Sequence, residues 1–373
     1  MKFEIKQNIL MEYLNYAIKG ISNKNIIPIL NCIKMELNND GLYLLSTDNE
    51  IAIKAFIDKS KIENIEKCGD ILISGKFIYE IVRKLPNSLI CIEEVIDNKI
   101  LITTETSSFT LNCNNPADFP VLDLEDSKNP LEISKKVFTN IIKQTSFATS
   151  QQESRPVLTG INFKITGNIL ECTATDSYRL AKKKIELSNI YPEEVNIIIP
   201  TKNLMELTKL YSVDDDNLEM HIFNNKVIFK FNNIILMSKL INGNFPDTSK
   251  LIPNEFETRI VTDINNYFNA IDRASLLTSE EEKNIINMQI EENKMLISSN
   301  IPEIGNVEEH LIIKNETNNN IKISFSSKYM MEAIKSLESE EIEILFNGEI
   351  KPIILKNPNA DDLIQLIVPI RTY

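Results

Sequence analysis

The chain has 373 residues, 43% of them hydrophobic and 25% charged, with a formal net charge of −13. That length favours two or three domains over a single core, and the composition is that of a globular protein with ample packing material. No apolar run approaches the ~20 residues that span a bilayer, and the opening M-K-F-E-I-K-Q-N lacks an apolar signal core, so no membrane role is expected and the expected location is the cytoplasm.

Six segments are predicted to be helical: 7–20, 74–85, 134–147, 200–211, 262–278 and 327–338. Between them run short stretches of period-two alternation, which in the first third of the chain fall at 33–37, 42–45, 51–57, 100–104 and 108–111. Such alternation suits antiparallel sheets with one buried face. The stretch G-D-I-L-I-S-G-K at 69–76 superficially matches a phosphate loop. It has one residue too many between its glycines, and Phe77 stands where a magnesium-binding Ser or Thr is required. It reads as a strand and turn entering the second helix, with Ser74 as the cap.

The chain also repeats itself. I-P-I-L at 27–30 answers R-P-V-L at 155–158, S-T-D at 46–48 answers A-T-D at 174–176, D-N-K-I at 97–100 answers N-N-K-V at 224–227, and F-P at 119–120 recurs at 245–246. A fainter third copy places I-I-N-M-Q-I (285–290) and S-S-N (298–300) at corresponding points. The expected organisation is three α+β domains of similar size, 1–126, 127–253 and 254–373, each with two helices.

Charge is distributed unevenly over these elements. The six helical segments hold twelve basic and seven acidic residues, so they sum to +5 while the rest of the chain sums to −18. Within helices the cations segregate. Lys136, Asn140 and Lys143 share a stripe opposite Phe138, Ile141, Ile142 and Thr145. Lys76, Tyr79 and Arg83 lie across from Phe77, Ile81 and Leu85; Lys202 and Lys209 share a face with Glu206, opposite Leu204, Leu207 and Tyr211. A basic helical face inside an acidic chain can attract phosphates while the exterior repels them.

Catalytic chemistry has little to work with. The two histidines, His221 and His310, fall in different repeats, and the five cysteines (Cys32, Cys68, Cys91, Cys113, Cys172) include no C-x-x-C pair. The acidic runs Asp214-Asp215-Asp216 and Glu280-Glu281-Glu282 read as solvated loops, since consecutive carboxylates cannot converge on one ion, and N-E-T-N-N-N at 315–320 reads as a turn. Two rival readings stay open at this level: a metal-dependent nuclease assembling carboxylates from separate strands, and an interaction scaffold without nucleic acid.

Four separated motifs carry a specific resemblance. T-A-T-D-S-Y-R-L-A at 173–181, E-S-R-P-V-L-T-G at 153–160, L-I-N-G-N-F-P-D at 240–247 and the terminal I-V-P-I-R-T-Y at 367–373 closely resemble the bacterial sliding clamps, the beta subunits of DNA polymerase III. The resemblance spans the whole chain. It implies a head-to-tail homodimeric ring, with antiparallel sheets outside and helices lining a central hole that encircles double-stranded DNA without sequence preference. It implies no catalysis, no cofactor and no metal. The implied partners are the replicative DNA polymerase, an ATP-driven clamp loader and other proteins bearing short clamp-binding motifs.

By the same resemblance, the partner-peptide pocket comprises Leu158, Thr175, Tyr178, Arg179, Leu180, Pro246, Leu251, Val368, Pro369, Ile370 and Arg371, with Arg179 and Arg371 meeting the peptide's polar groups. Asp176 is expected to organise its turn, as Asp48 does in the first repeat. The resemblance adds Lys24 and Gln152 to the DNA-facing helical cations Arg83, Lys136, Lys143, Lys202 and Lys209. It sets Phe109 and Leu111 against Leu276 and Leu277 at the dimer interface. The chain departs from the family in Ser177-Tyr178, where Gly-His is common, and in Val368 and Ile370, where methionines are usual. The β-branched replacements are stiffer.

Overall fold

The computed structural model describes residues 1–22, 27–95, 98–213, 216–253, 255–279, 284–317 and 319–371. Among these, six α-helices form where helical periodicity placed them: α1 (Gln7–Ala17), α2 (Gly75–Lys84), α3 (Lys135–Thr145), α4 (Thr201–Leu207), α5 (Ile264–Ser275) and α6 (Ser327–Ser336). In α1 the buried residues Leu10, Tyr13, Leu14 and Ala17 follow the i, i+3, i+4, i+7 spacing of one face. In α5 the same spacing buries Tyr267, Ala270, Ile271 and Ala274. The correspondence extends to the helix ends. Ser46 Oγ donates to the Ala17 carbonyl at 2.6 Å and Ser299 Oγ donates to the Ala274 carbonyl at 2.6 Å. A Cβ on Gly20, just past α1, would lie 2.3 Å from Ser46 Oγ, so glycine is required for that approach.

Helix α3 buries Phe138, Ile141, Ile142 and Thr145 and exposes Lys136 and Lys143, as its periodicity predicts. Lys135, counted above among the helical cations, is instead buried and paired with Asp216 at 3.5 Å. Helix α2 corrects the sequence reading. Its buried stripe is Gly75, Ile78 and Val82, continued by Leu85, whereas Phe77 is 58% exposed. Gly75 fixes this rotation, because it packs so closely on Ile21 and Ile33 that a Cβ there would lie 2.3 Å from the Ile21 side chain. Ser74 occupies the N-cap position without a side-chain cap bond. Helix α4 is shorter than expected, ending at Leu207, so Lys209 and Tyr211 lie beyond it.

Every strand pairing is antiparallel among the described residues, and the chain divides into two compact units. The first, Met1–Lys136 with Lys202–Leu240, contains a thirteen-stranded sheet. From one edge its strands run Leu131–Ser134, Asn217–Ile222, Lys226–Phe231, Ile234–Lys239, Ile51–Asp58, Gly41–Thr47 and Cys32–Leu37. They continue Gly69–Ser74, Ser108–Asn114, Lys99–Thr103, Leu89–Val95, Lys2–Lys6 and Ile62–Lys67. The middle third of the chain enters this sheet through Ile234–Lys239, which pairs with Ile51–Asp58. The core beneath α1 and α2 includes Phe3, Leu14, Ile33, Ile78 and Ile92.

The second unit, Val137–Thr201 with Ile241–Tyr373, holds a nine-stranded and a four-stranded sheet. The nine strands run Val195–Pro200, Gly160–Thr166, Ile169–Thr175, Arg179–Glu186, Ala360–Ile367, Ile353–Asn357, Glu341–Phe346, Thr258–Asp263 and Lys314–Asn315. The other four run Gly305–Ile312, Lys294–Ile301, Ile285–Glu291 and Ile321–Ser326. Here the middle third joins the last through Arg179–Glu186, which pairs with Ala360–Ile367 from Arg179 opposite Ile367 to Lys183 opposite Leu363. The core includes Tyr267, Ile286, Phe325, Met330 and Ile344.

Among the open strand edges of the described residues, two bear on the expected interface. Ser108–Asn114 meets Gly69–Ser74 only at Cys113 and Asn114, leaving 108–112 unpaired on that side. Gly305–Ile312 is one of the two outer strands of the four-stranded sheet. No described helix is long and apolar enough to cross a membrane.

Truncating a fully buried residue of the repeated stripe leaves a cavity. Leu14→Ala is therefore expected to lower unfolding stability by about 2–5 kcal/mol, read from the shift of its urea transition.

Candidate functional site

The turn between Ile169–Thr175 and Arg179–Glu186 is built by its own side chains. Thr175 Oγ1 donates to the Arg179 carbonyl at 2.6 Å and accepts the Ser177 N–H at 3.1 Å. Asp176 Oδ1 accepts the N–H groups of Tyr178 at 2.9 Å and Arg179 at 3.0 Å. The first repeat builds the same turn. Thr47 Oγ1 donates to the Ile51 carbonyl at 2.7 Å, and Asp48 Oδ1 accepts from the Glu50 and Ile51 amides at 3.0 Å each. Asn49 (φ 77°) and Ser177 (φ 80°) occupy the left-handed position in the two copies. The structure thus gives Asp176 the same bonds as Asp48.

This turn sends consecutive side chains in opposite directions. Tyr178 is 60% exposed, whereas Arg179 is 9% exposed. The Arg179 Nε donates to Asp176 Oδ2 at 3.0 Å, and its Nη1 donates to Glu332 of α6. The guanidinium lies 4.4 Å from the ring centroid of Tyr329 and 5.3 Å from that of Phe147. Its charge is already paired within the fold, by Asp176 and Glu332. Arg179 positions Tyr329 and the first half of α6 against the turn.

Next to this assembly opens a cleft of about 670 Å³. One wall is the terminal segment Val368, Pro369, Ile370 and Arg371, which hydrogen bonds fix in place: the Val368 N–H donates to the Tyr178 carbonyl at 2.9 Å and the Ile370 N–H to the Ser324 carbonyl at 2.7 Å. Tyr178, Asn284, Ser326, Lys328 and Tyr329 complete the lining. Burial raises the Tyr329 phenol above its ordinary pKa and the Asp176 carboxylate adds to the effect, so the hydroxyl remains a donor at neutral pH.

Of the residues expected in the pocket, the structure brings Tyr178, Val368, Pro369, Ile370 and Arg371 to this cleft. Leu158, Thr175 and Leu180 are buried, Leu180 packing with Leu345, Ile354 and Leu366. Pro246 and Leu251 are exposed but do not line it. Asn284, Ser326, Lys328 and Tyr329 were missed, because they reach the cleft only through tertiary packing.

The expected DNA-facing residues divide by pairing. Arg83 contacts Glu80 at 2.5 Å, Lys143 contacts Glu338 at 3.1 Å and Lys209 contacts Glu206 at 2.7 Å. Lys136, Lys202 and Gln152 are exposed, and neither lysine has an ion pair among the described residues. Lys24 lies outside the described residues. Exposed pairs such as these hold weakly, so the carboxylate can be exchanged for a phosphate.

At the expected interface residues, Phe109 is exposed on the open strand Ser108–Asn114 and Leu111 packs partly on the core. Leu276, just past α5, is 78% exposed and Leu277 is half-buried.

Among the described residues no group of three or more His, Cys, Asp or Glu is placed to hold a metal. His221 is buried, its Nδ1 accepting the Ser127 N–H at 3.0 Å, and His310 lies on Gly305–Ile312 in the other unit. Asp214, Asp215, Glu280, Glu281 and Glu282 lie outside the described residues, as does Asn318 of the Asn-rich turn.

Three family models match the chain in succession: the N-terminal domain of the DNA polymerase III beta subunit over residues 1–123, its central domain over 132–247 and its C-terminal domain over 249–371. The chain belongs to the DNA polymerase III beta-subunit family. It is 39% identical over 377 residues to the beta sliding clamp of Staphylococcus aureus, with both chains covered in full. Its structure is similar to the DNA polymerase sliding clamp from Bacillus subtilis, with TM-score 0.97 and 37% identity over 100% of each chain. The beta subunit from Streptococcus pyogenes matches at TM-score 0.95 and 31% identity, again over 100% of each chain. The fold is therefore the α+β clamp fold of three clamp domains, and the chain is a processivity clamp rather than an enzyme.

Ser177 keeps a side chain at a left-handed position that costs an L-residue about 1–2 kcal/mol. Ser177→Gly is accordingly expected to raise unfolding stability by about 1 kcal/mol, measured as a higher denaturant midpoint.

Proposed function

We propose that two copies of this chain close head to tail into a ring around duplex DNA and tether the replicative polymerase through the cleft beside Tyr178 and Tyr329. The observation that carries the reading is the coincidence of full-length clamp similarity with a formed cleft at the terminal I-V-P-I-R motif. The three clamp domains are 1–126, 127–253 and 254–373. The aliphatic wall of Val368, Pro369 and Ile370 can bury one or two leucine or phenylalanine side chains of a short partner motif, at ~1.5–3 kcal/mol each. The same cleft would serve the ATP-driven clamp loader and other proteins with clamp-binding motifs.

The ring's grip on DNA is topological and electrostatic. Duplex DNA presents one charge per ~1.7 Å of axis, so a modest lining suffices for binding without sequence preference. Lys136 and Lys202, with no ion pair to surrender among the described residues, are the first phosphate contacts; Arg83, Lys143, Lys209, Gln152 and Lys24 add to them. Closure sets Phe109 and Leu111 of one copy against Leu276 and Leu277 of the next. The open edges of Ser108–Asn114 and Gly305–Ile312 support this reading, since unpaired strand edges are templates for pairing with another chain. The ring works in the cytoplasm, on replicating DNA.

Once loaded by an ATP-driven loader, the protein is expected to stay on closed circular DNA and to leave after linearisation, followed by gel filtration of the complexes. Persistent retention on the cut molecule would show a conventional binder and overturn the ring. Leu276→Lys buries a charge in the proposed interface, and light scattering should then give a monomer mass. An unchanged dimer would misplace the interface.

A further inference from the structure

The second helix of each repeat carries one charge pattern. Lys76, Glu80 and Arg83 recur 126 residues on as Lys202, Glu206 and Lys209. After a further 126 residues they recur as Lys328, Glu332 and Lys335. Spacings of four and three put each triplet on one helical face. The first two copies neutralise their last cation locally: Arg83 pairs with Glu80 at 2.5 Å and Lys209 with Glu206 at 2.7 Å. The third copy does not. Glu332 is drawn to Arg179, and Glu338, three residues beyond Lys335, is taken by Lys143 at 3.1 Å.

Lys335 is therefore exposed between two engaged carboxylates, with no ion pair of its own among the described residues. What holds it is the half-buried ring of Phe268 on α5, whose centroid lies 5.2 Å from the Lys335 Nζ. A carboxylate fixes a lysine and cancels its charge, whereas an aromatic face fixes it and leaves the charge intact. Lys328, the other cation of this triplet, opens onto the cleft. Past the end of α6 the exposed Glu340 and Glu341 repel a phosphate, so the helix depends on Lys335 to attract one.

We infer that Lys335, placed by Phe268, is the phosphate contact of the last repeat and binds duplex DNA more firmly than its counterparts Arg83 and Lys209. The inference rests on the proposed reading of these helices as the DNA-facing side of the ring, and adds a residue to it. The two counterparts must release a carboxylate to take a phosphate; Lys335 releases only water and counter-ions.

The test uses the full chain and a short fluorescein-labelled duplex of mixed sequence, with binding followed by anisotropy over a range of salt concentrations. Lys335→Gln is expected to weaken binding and to reduce the slope of log K against log salt by about one, the loss of one phosphate contact. Arg83→Gln and Lys209→Gln are each expected to reduce it by a smaller amount. Lys164→Gln removes the same charge from an exposed position on the strand Gly160–Thr166 and should leave the slope unchanged. Phe268→Leu keeps the lysine's charge but not its placement, so affinity should fall about two-fold at an unchanged slope. A slope unaltered by Lys335→Gln, or matched by Lys164→Gln, would overturn the contact while leaving the ring standing. Equal reductions in Lys335→Gln and its two counterparts would overturn the firmer hold, and wild-type affinity in Phe268→Leu would overturn the role of the aromatic face. No binding of the duplex by the unsubstituted protein would overturn the DNA-facing reading itself.

Discussion

The candidate site depends on one strand pairing. When Arg179–Glu186 aligns against Ala360–Ile367, a central strand of the middle repeat and the last strand of the chain are locked into a common register. That register delivers Val368 to the Tyr178 carbonyl and Ile370 to the Ser324 carbonyl, which fixes the wall of the cleft. Because side chains alternate across a strand, a slip of one residue would turn Arg179 away from Glu332. Backbone pairing, guanidinium network and cleft wall therefore form or fail together.

Duplication accounts for much of the rest. The turns at Asp48 and Asp176 use the same hydroxyl, carboxylate and left-handed residue. The ends of α1 and α5 are tied by equivalent serines. A local device that satisfies backbone groups within five residues survives duplication well, because it needs nothing from distant sequence. The second turn then acquires what the first lacks: an arginine directed inward and a tyrosine directed out.

This local-versus-distant division also governs what could be read from the sequence. All six helices and the five strands picked out in the first repeat were legible, because periodicity is a local signal. Lys2–Lys6 and Ile62–Lys67 were not, since their charged positions leave few apolar residues to mark the alternation. The rotation of α2 was misread because the contact that sets it, Gly75 on Ile21 and Ile33, is tertiary. The motif at 173–181 located the site but not the burial of Arg179, whose partner Glu332 is 153 positions away. For the same reason Lys328 and Tyr329 were invisible as lining residues until the fold put them beside the chain end.

The pairs Arg83–Glu80, Lys143–Glu338 and Lys209–Glu206 bear on how the proposed ring would travel. A cation that must release a carboxylate to take a phosphate gains little by the exchange, and loses little when it lets go. Each step along the duplex then swaps one weak partner for another, so the energy profile under the moving protein stays shallow. In the proposed ring, built-in counter-ions of this kind would act as a lubricant: they would keep its DNA-facing side attractive to the polyanion without allowing it to stick.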